Sequence, residues 1–262
     1  MQGETMVRLA VFVGVLGALA VAETLRPRRA RALRRVERWP HNLGLVAAGA
    51  VAMRVVAPAG AVAAAMLAAR QGWGLLHAVD AAPVVAWGTA VLVLDLAIWA
   101  QHVAMHKVDV LWRLHRVHHA DVDVDVTTGV RFHPIEYLLS LGWKAAVIVA
   151  LGAPAGAVVL FEVLLNATSM FNHANLRLSP TADRVTRWLL VTPDMHRVHH
   201  SVDRAEADTN YGFNLPWWDR LFGTYRAQPL HPHETMTLGV SRFRSAKDQR
   251  VDRLLTQPFR RG

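Results

Sequence analysis

Four apolar stretches set the pattern of the chain: residues 6–24, 43–69, 83–104 and 138–169, with polar segments between them. The first, about 19 residues, reaches the length at which a helix spans a bilayer. A cationic segment follows it instead of preceding it, the reverse of a cleavable leader, so a retained helix is predicted. The second stretch is rich in Ala and Val, with Arg54 and Pro58 inside it, and the third runs on to His102 and His106. The fourth, about 32 residues, is interrupted by LGAPAG, which holds Gly152, Pro154 and Gly156. Each half is then about 14 residues, short for a full crossing, and a re-entrant or tilted helical hairpin is expected. From residue 181 onward the chain is polar with interspersed Trp, and Trp188, Trp217 and Trp218 suit a membrane–water interface. No strand pattern or repeat is present. The pattern predicts an all-α integral membrane protein with about three spanning helices plus the re-entrant helical hairpin, and a polar cap.

Composition sharpens this picture. Charged residues make up 19% of the 262, below the roughly 25% of soluble domains, and the mean hydropathy is +0.20. The formal net charge is +9, and seven Arg fall between Arg26 and Arg38, directly after the first apolar stretch. That placement is a topology signal, which puts this loop in the cytoplasm, the N-terminus outside and the end of the third helix back in the cytoplasm. Nucleic acid is not expected as a partner, because no soluble basic face with interleaved aromatics is present. The chain has no Cys, so it has no disulfide, thiolate metal site or iron–sulfur centre of its own.

It does have 14 His, and eight of them fall in three clusters. His102 and His106 lie in HVAMH, His115, His118 and His119 form HRVHH, and His196, His199 and His200 form a second HRVHH. At this His frequency one HxxHH is expected by chance roughly 0.04 times in the chain. An i,i+4 pair puts two imidazoles on one helical face. In HxxHH the first two His are expected to share a face and the third to point about 100° away, so that one motif serves two ions. Eight imidazoles exceed the shell of any single ion, and a two-metal centre follows. Imidazole suits Fe, Zn, Cu and Ni alike. His41, His77, His231 and His233 lack such spacing. Asp95, seven residues before His102 on the same face, lies about 10 Å deeper. It is expected to pair with Arg54 beneath the metal site, or to hydrogen-bond a ligand His from another element. Lys144, Glu162 and Asn166 are expected to face protein or an interface.

WRLHRVHHADVDVDVTTGVRFHPIE, FNHANLRL, VTPDMHRVHHS and DTNYGFNLPWWDRLFGTY together resemble the fatty acid hydroxylase/sterol desaturase superfamily of integral-membrane di-iron oxygenases. The resemblance covers roughly residues 92–225. It implies a catalytic domain over residues 83–226, preceded by a membrane region (1–82) and followed by a polar tail (227–262). It implies a four-helix-type membrane core with a cytoplasmic His-rich cap, two Fe ions (with Zn able to replace them in preparations), O2 as co-substrate and a lipid C–H bond as target. The eight clustered His would be the ligands. His173 of the HAN motif would be a ninth, and His133 of RFHP is a further candidate. Asn210, Tyr211 and Gly212 match the family's NYG and would act behind the ligands or structurally, Asn210 together with Asp95.

The reading is therefore a membrane lipid hydroxylase or desaturase whose electrons come from a separate donor, a reductase with a ferredoxin- or cytochrome-type carrier. The Arg-rich loop would dock such a carrier or touch anionic lipid. The Arg- and Ala-rich composition suggests a bacterial inner membrane. Two other classes remain. One is a two-zinc metallohydrolase acting on a lipid, with Asp121 or Asp194 near the ions, and the other is a metal sensor or transporter. The sequence leaves hydroxylation against desaturation, the substrate and the oligomeric state open.

Overall fold

The structure is a computed structural model that describes residues 2–260. Five helical passes build the bundle: α1 (Gln2–Leu25), a broken pass of α2 (Arg35–Val56), α3 (Gly60–Gln71) and the single turn α4 (Leu75–Ala78), then α5 (Pro83–Lys107), α7 (Pro134–Leu151) and α8 (Ala155–His173). Shorter helices make the cap: α6 (Asp109–His119), α9 (Pro180–Thr186), α10 (Pro193–His199), α11 (Arg204–Ala207), α12 (Trp217–Leu221) and α13 (Val251–Thr256). Among the described residues there is no β-strand, only two isolated bridges. The all-α membrane architecture expected from the apolar stretches is what the chain adopts.

The helix boundaries follow local chemistry. Pro58 drives the residue before it out of the α region, and Ala57 ends α2 at φ −139°, ψ 63°, so the second apolar stretch forms two helices and not one. Pro83 and Pro134 open α5 and α7 at a position that needs no backbone donor. The hairpin of α7 and α8 is present as expected, but its arms are 18 and 19 residues, each long and apolar enough to cross a bilayer, where the sequence counted about 14. The polar outer ends of the two arms account for the difference: α7 begins ahead of its apolar run, with Glu136 in its first turn, and α8 runs past its own to His173. At the far end of the hairpin, Gly152 (φ 72°) and Gly74 (φ 100°) pack backbone to backbone, and a Cβ on Gly74 would lie 2.1 Å from the Gly152 nitrogen.

Small residues hold the passes close. Ala61 and Ala65 of α3, Ala86 and Ala90 of α5, Ile148 of α7 and Ala157 and Phe161 of α8 form one buried cluster. The outer surface is apolar instead of polar: Met6, Leu9, Val13 and Val21 of α1 and Val84 of α5 are each more than half exposed. A surface of that kind needs lipid around it. The protein is an integral membrane protein.

The expected tail does not hang free. Leu254 of α13 packs with Leu45 of α2 and Val117 of α6, and Met236 and Leu238 pack with Val124.

The ends of α1, α5 and α8 and the starts of α2 and α7 meet at one end of the bundle, and a buried ionic network locks them together. Arg38 of α2, with no exposed surface, grips Asp121 through Nε (2.8 Å) and Nη2 (2.6 Å) and donates to Asp125 (2.7 Å). Asp121 also accepts from Thr128 and Asn42. Asp123 takes the backbone amides of Ala32 and Leu33. Glu23 of α1, equally buried, accepts from the amides of Val126 and Asn175 (2.7 Å each) and from Arg35 (2.8 Å). Most of the Arg-rich loop is thus spent inside the protein, with Arg26 and Arg34 left exposed: Arg28 pairs with Asp194 and Glu234, Arg31 and Arg35 pair with Glu23, and Arg29 donates to the carbonyls of His233 and Met236. Removing one partner of a buried ion pair leaves the other charge stranded. Arg38→Ala should therefore cost about 3–5 kcal/mol. Arg34→Ala, at a site 79% exposed, should cost less than about 1 kcal/mol. Thermal unfolding in detergent checks both.

Candidate metal centre

Four elements bring nine His to this end of the bundle. α5 carries His102 and His106 in its last two turns. An extended residue, Val108 (φ −105°, ψ 114°), then turns the chain back into α6 with His115, His118 and His119. His173 is the last residue of α8. α10 starts at Thr192, whose hydroxyl accepts from the Met195 amide, with Pro193 in the first position. The helix carries His196 and His199 and ends on His200. All nine are buried.

Their side-chain nitrogens fall into two groups, each within a 4.8 Å span: His102, His106, His115, His119 and His199 in one, and His118, His173, His196 and His200 in the other. Each HRVHH does feed both groups, but by a different split from the expected one. His115 joins His119 and His196 joins His200, the i,i+4 pairs, while the i,i+3 partner goes to the other group. Four residues overshoot a full turn by about 40°, whereas three fall short by about 60°. The i,i+4 pair therefore converges better.

Second partners fix the ring orientation. His102 donates from Nδ1 to the Tyr211 carbonyl (2.6 Å), His173 to the Ser169 carbonyl (2.6 Å) and His199 to the Thr209 carbonyl (2.7 Å). Nδ1 of His115 lies 2.6 Å from Glu136 Oε1, and that of His106 lies 3.3 Å from Asp208. A carbonyl only accepts, so Nδ1 carries the proton and Nε2 its lone pair. The Nε2 atoms face one another: His102 to His115 and to His199 at 3.0 Å, His106 to His119 at 3.1 Å, and His173 to His118 at 3.0 Å and to His196 at 3.1 Å. Between His102 and His199 neither nitrogen has a proton to give. Such contacts are repulsive without a cation between them. A proton does not serve, because burial first, and then the neighbouring rings, hold His118, His119, His196 and His200 well below the ordinary imidazole value. Burial does the same to His199. His200 has no hydrogen-bond partner at either nitrogen, and His118 and His196 have none at Nδ1. A buried polar atom without a partner is rare. The donor set fits a pair of metal ions.

The remaining candidates lie elsewhere. His133 is outside both groups: its Nδ1 accepts from the Ile135 amide as the N-cap of α7, and its Nε2 sits 3.1 Å from the Leu255 carbonyl. Asp95 does not pair with Arg54, which is exposed and has no ion pair among the described residues. Instead it accepts from Asn214 Nδ2 (2.7 Å), Trp218 Nε1 (2.8 Å) and the Leu215 amide (3.3 Å), because those neutral donors satisfy it without a second charge in the apolar zone. Asn210, left-handed at φ 52°, joins the Met195 carbonyl to both backbone groups of Arg226. Glu162 bridges Lys144 (2.6 Å) and Arg8 (2.8 Å) inside the bundle.

Three side chains escaped the sequence reading. Glu136 and Asp208 face ligand-group rings. Asp219, fully buried, accepts from the Tyr211 and Gly212 amides, Thr224 and Trp99. Burial raises its carboxyl above the ordinary value, against those four donors. Glu136 lies in the HPIE string, three residues from His133, but nothing in that spacing points to His115.

A cavity of about 200 Å³ reaches His102 and His115 from the bundle side. Its wall is mostly apolar, with Ile98, Val130, Leu165 and Phe213, and Gln101 and Lys144 add polar spots.

The family model for fatty acid hydroxylase matches residues 87–224. The ornithine lipid hydroxylase OlsE of Rhizobium tropici is 31% identical over 140 residues, 53% of this chain and 41% of that protein. The alkylglycerol monooxygenase of Homo sapiens is 28% identical over 163 residues, 62% of this chain and 36% of that protein. The very-long-chain aldehyde decarbonylase GL1-5 of Oryza sativa subsp. indica is 28% identical over 132 residues, 47% of this chain and 20% of that protein. The matched regions thus span less than half the length of these relatives. No solved structure matches the chain.

Asp219 holds the Tyr211 carbonyl in place for His102, and each buried donor left without an acceptor costs about 1–3 kcal/mol. Asp219→Ala should lower stability by at least about 3 kcal/mol in thermal unfolding, and a loss under about 1 kcal/mol would show that the 210–225 loop holds itself.

Proposed function

The chain belongs to the fatty acid hydroxylase family, and from that premise we propose that it is an O2-dependent lipid oxygenase with two iron ions held by the nine grouped His. One ion is assigned to His102, His106, His115, His119 and His199, and the other to His118, His173, His196 and His200. The observation that carries the reading is the set of facing Nε2 lone pairs at 3.0–3.1 Å. These inward-turned imidazole nitrogens form a donor set that would hold two ions of a metal that imidazole ligates, iron among them.

Iron supplies O2 activation and hydrogen abstraction from a C–H bond, chemistry for which zinc has no redox capacity. The chain's residues do the rest. Glu136, Asp208 and the carbonyls of Ser169, Thr209 and Tyr211 fix the imidazole tautomers. Asp95, Asn210 and Asp219 hold the 210–226 segment that closes over His102. Burial excludes bulk water. Ile98, Val130, Leu165 and Phe213 receive an alkyl or acyl chain from the bilayer, while Gln101 and Lys144 offer donors to a polar group of the lipid. The names of two relatives, an ornithine lipid hydroxylase and an alkylglycerol monooxygenase, favour oxygen insertion into a polar lipid over desaturation. One C–H bond and O2, with two electrons and two protons, give one C–OH and water. With no Cys in the chain, the electrons come from a separate reductase with a ferredoxin- or cytochrome-type carrier. We assign the Arg-rich end of the bundle to the cytoplasmic face of a bacterial inner membrane.

The two carboxylates that the sequence offered to a two-zinc hydrolase are both engaged by guanidinium groups. Asp121 is pinned by Arg38 and Arg131, which hold it down to about 2 against burial. Asp194 is pinned by Arg197 and Arg28.

Protein purified from iron-replete cells should carry two Fe per chain and incorporate one atom of labelled O2 into a membrane lipid. An all-zinc protein active without O2 would overturn the reading. His118→Ala should lower metal content and abolish product. Glu136→Ala should weaken metal retention against a chelator by about 10–100-fold, and Glu136→Gln, which keeps an acceptor for His115, by less.

A further inference from the structure

A second recess, of about 360 Å³, opens on the cap surface and reaches His119 without sharing a lining residue with the lipid cavity. Trp112 forms its floor, with its ring centroid 5.0 Å from that of His106 and 5.3 Å from that of His119. Arg204 lies over Trp112 at 4.6 Å, and Arg116 lies over Phe243 at 5.1 Å. Arg242 completes the rim, and Arg113 stands one turn from Arg116 on α6. Among the described residues neither Arg113, Arg116 nor Arg242 has a carboxylate within 4.0 Å, and Arg113 and Arg242 are exposed. Asp208, the nearby acid, is already shared by Lys107 and Arg204. In the Arg-rich loop, by contrast, Arg28, Arg31, Arg35 and Arg38 are taken up by Glu23, Asp121, Asp125 and Asp194.

We propose that this recess is where the electron donor docks, and that the donor is an acidic one-electron carrier protein that sets its redox group over Trp112. The inference rests on the oxygenase reading. Unpaired surface cations attract an oppositely charged partner and raise its association rate. The aromatic floor touches two rings of one His group, so it shortens the gap an electron must cross. Each docking oxidises one carrier by one electron. Two dockings supply the two electrons that, with O2 and two protons from solvent, turn one C–H into C–OH and release one water. Lipid and donor then approach the same His group by separate openings, one from the bilayer and one from water.

The test uses the full chain in lipid nanodiscs and, as probe, a [2Fe–2S] ferredoxin of net negative charge. Its affinity is read by surface capture at low and high salt. The double variant Arg113→Glu/Arg242→Glu should bind the ferredoxin at least about 10-fold more weakly at low salt, with the difference shrinking at high salt. Arg34→Glu/Arg177→Glu, which reverses exposed charge beside the Arg-rich loop, should change it less than about twofold. Equal loss in both variants, or loss in the second alone, overturns the docking site. Because binding is read without turnover, failure of the wild type to form labelled lipid would count against the oxygenase reading and leave the affinity comparison valid.

Discussion

Imidazole nitrogens 3.0 Å apart, with their protons turned outward, repel one another, and the rest of the cap is arranged to keep them there. The fold does this by giving the outer nitrogen of each of five rings a fixed acceptor: three backbone carbonyls and two carboxylates. The carbonyls come from α8 and from the segment between α11 and α12, so the site depends on where irregular backbone runs. That backbone is in turn held by buried acids, Asp219 at Tyr211 and Asp95 at Asn214 and Leu215. A metal pair relieves the repulsion. Without it, the packing of the bundle must bear the cost.

The bundle bears it through charge as well as through apolar contact. The segment between α6 and α7 has little regular structure and is almost wholly buried, a combination that leaves backbone donors and acceptors without ladder partners. The alternation ADVDVDV answers this. Val124 and Val126 join apolar clusters, and its three Asp take up Arg38, Trp39 and the amides of Ala32 and Leu33. Buried ion pairs contribute little net stability, but breaking one is expensive. Their effect here is positional: they fix the Arg-rich loop against the strip that links HRVHH to α7.

Much of this was legible in the sequence, for physical reasons that can be stated. Apolar length gave the bundle, and the LGAPAG break in the fourth stretch gave the hairpin. Spacing and the HAN motif picked out the nine His that the structure brings together. The partition of those His was not legible, because it depends on the residual rotation of about 40° against 60°, which matters only once the rings are close. Glu136, Asp208 and Asp219 were missed because their partners are distant in the chain. The carbonyls of Ser169, Thr209 and Tyr211 carry no side-chain signal at all. The expected pair of Asp95 with Arg54 failed on energy: a buried carboxylate with three neutral donors needs no countercharge, and Arg54 reaches the bundle surface instead.

The charge of the Arg-rich loop illustrates why counting residues misleads where pairing decides. Seven Arg in 13 positions look like a docking surface, yet their guanidiniums are largely satisfied within the fold, and such cations have little left to offer a partner. The cations around Trp112 are fewer and scattered over α6, α11 and the C-terminal segment, so no window of sequence displays them. What distinguishes Arg113, Arg116 and Arg242 among them is that none pairs with an acid among the described residues, a property of the folded surface alone. The proposed oxygenase, taking lipid from one side and electrons from the other, would gain from this division. Cations buried against acids hold the cap on the bundle at any ionic strength, while unpaired cations at the mouth respond to a charged visitor and let it leave.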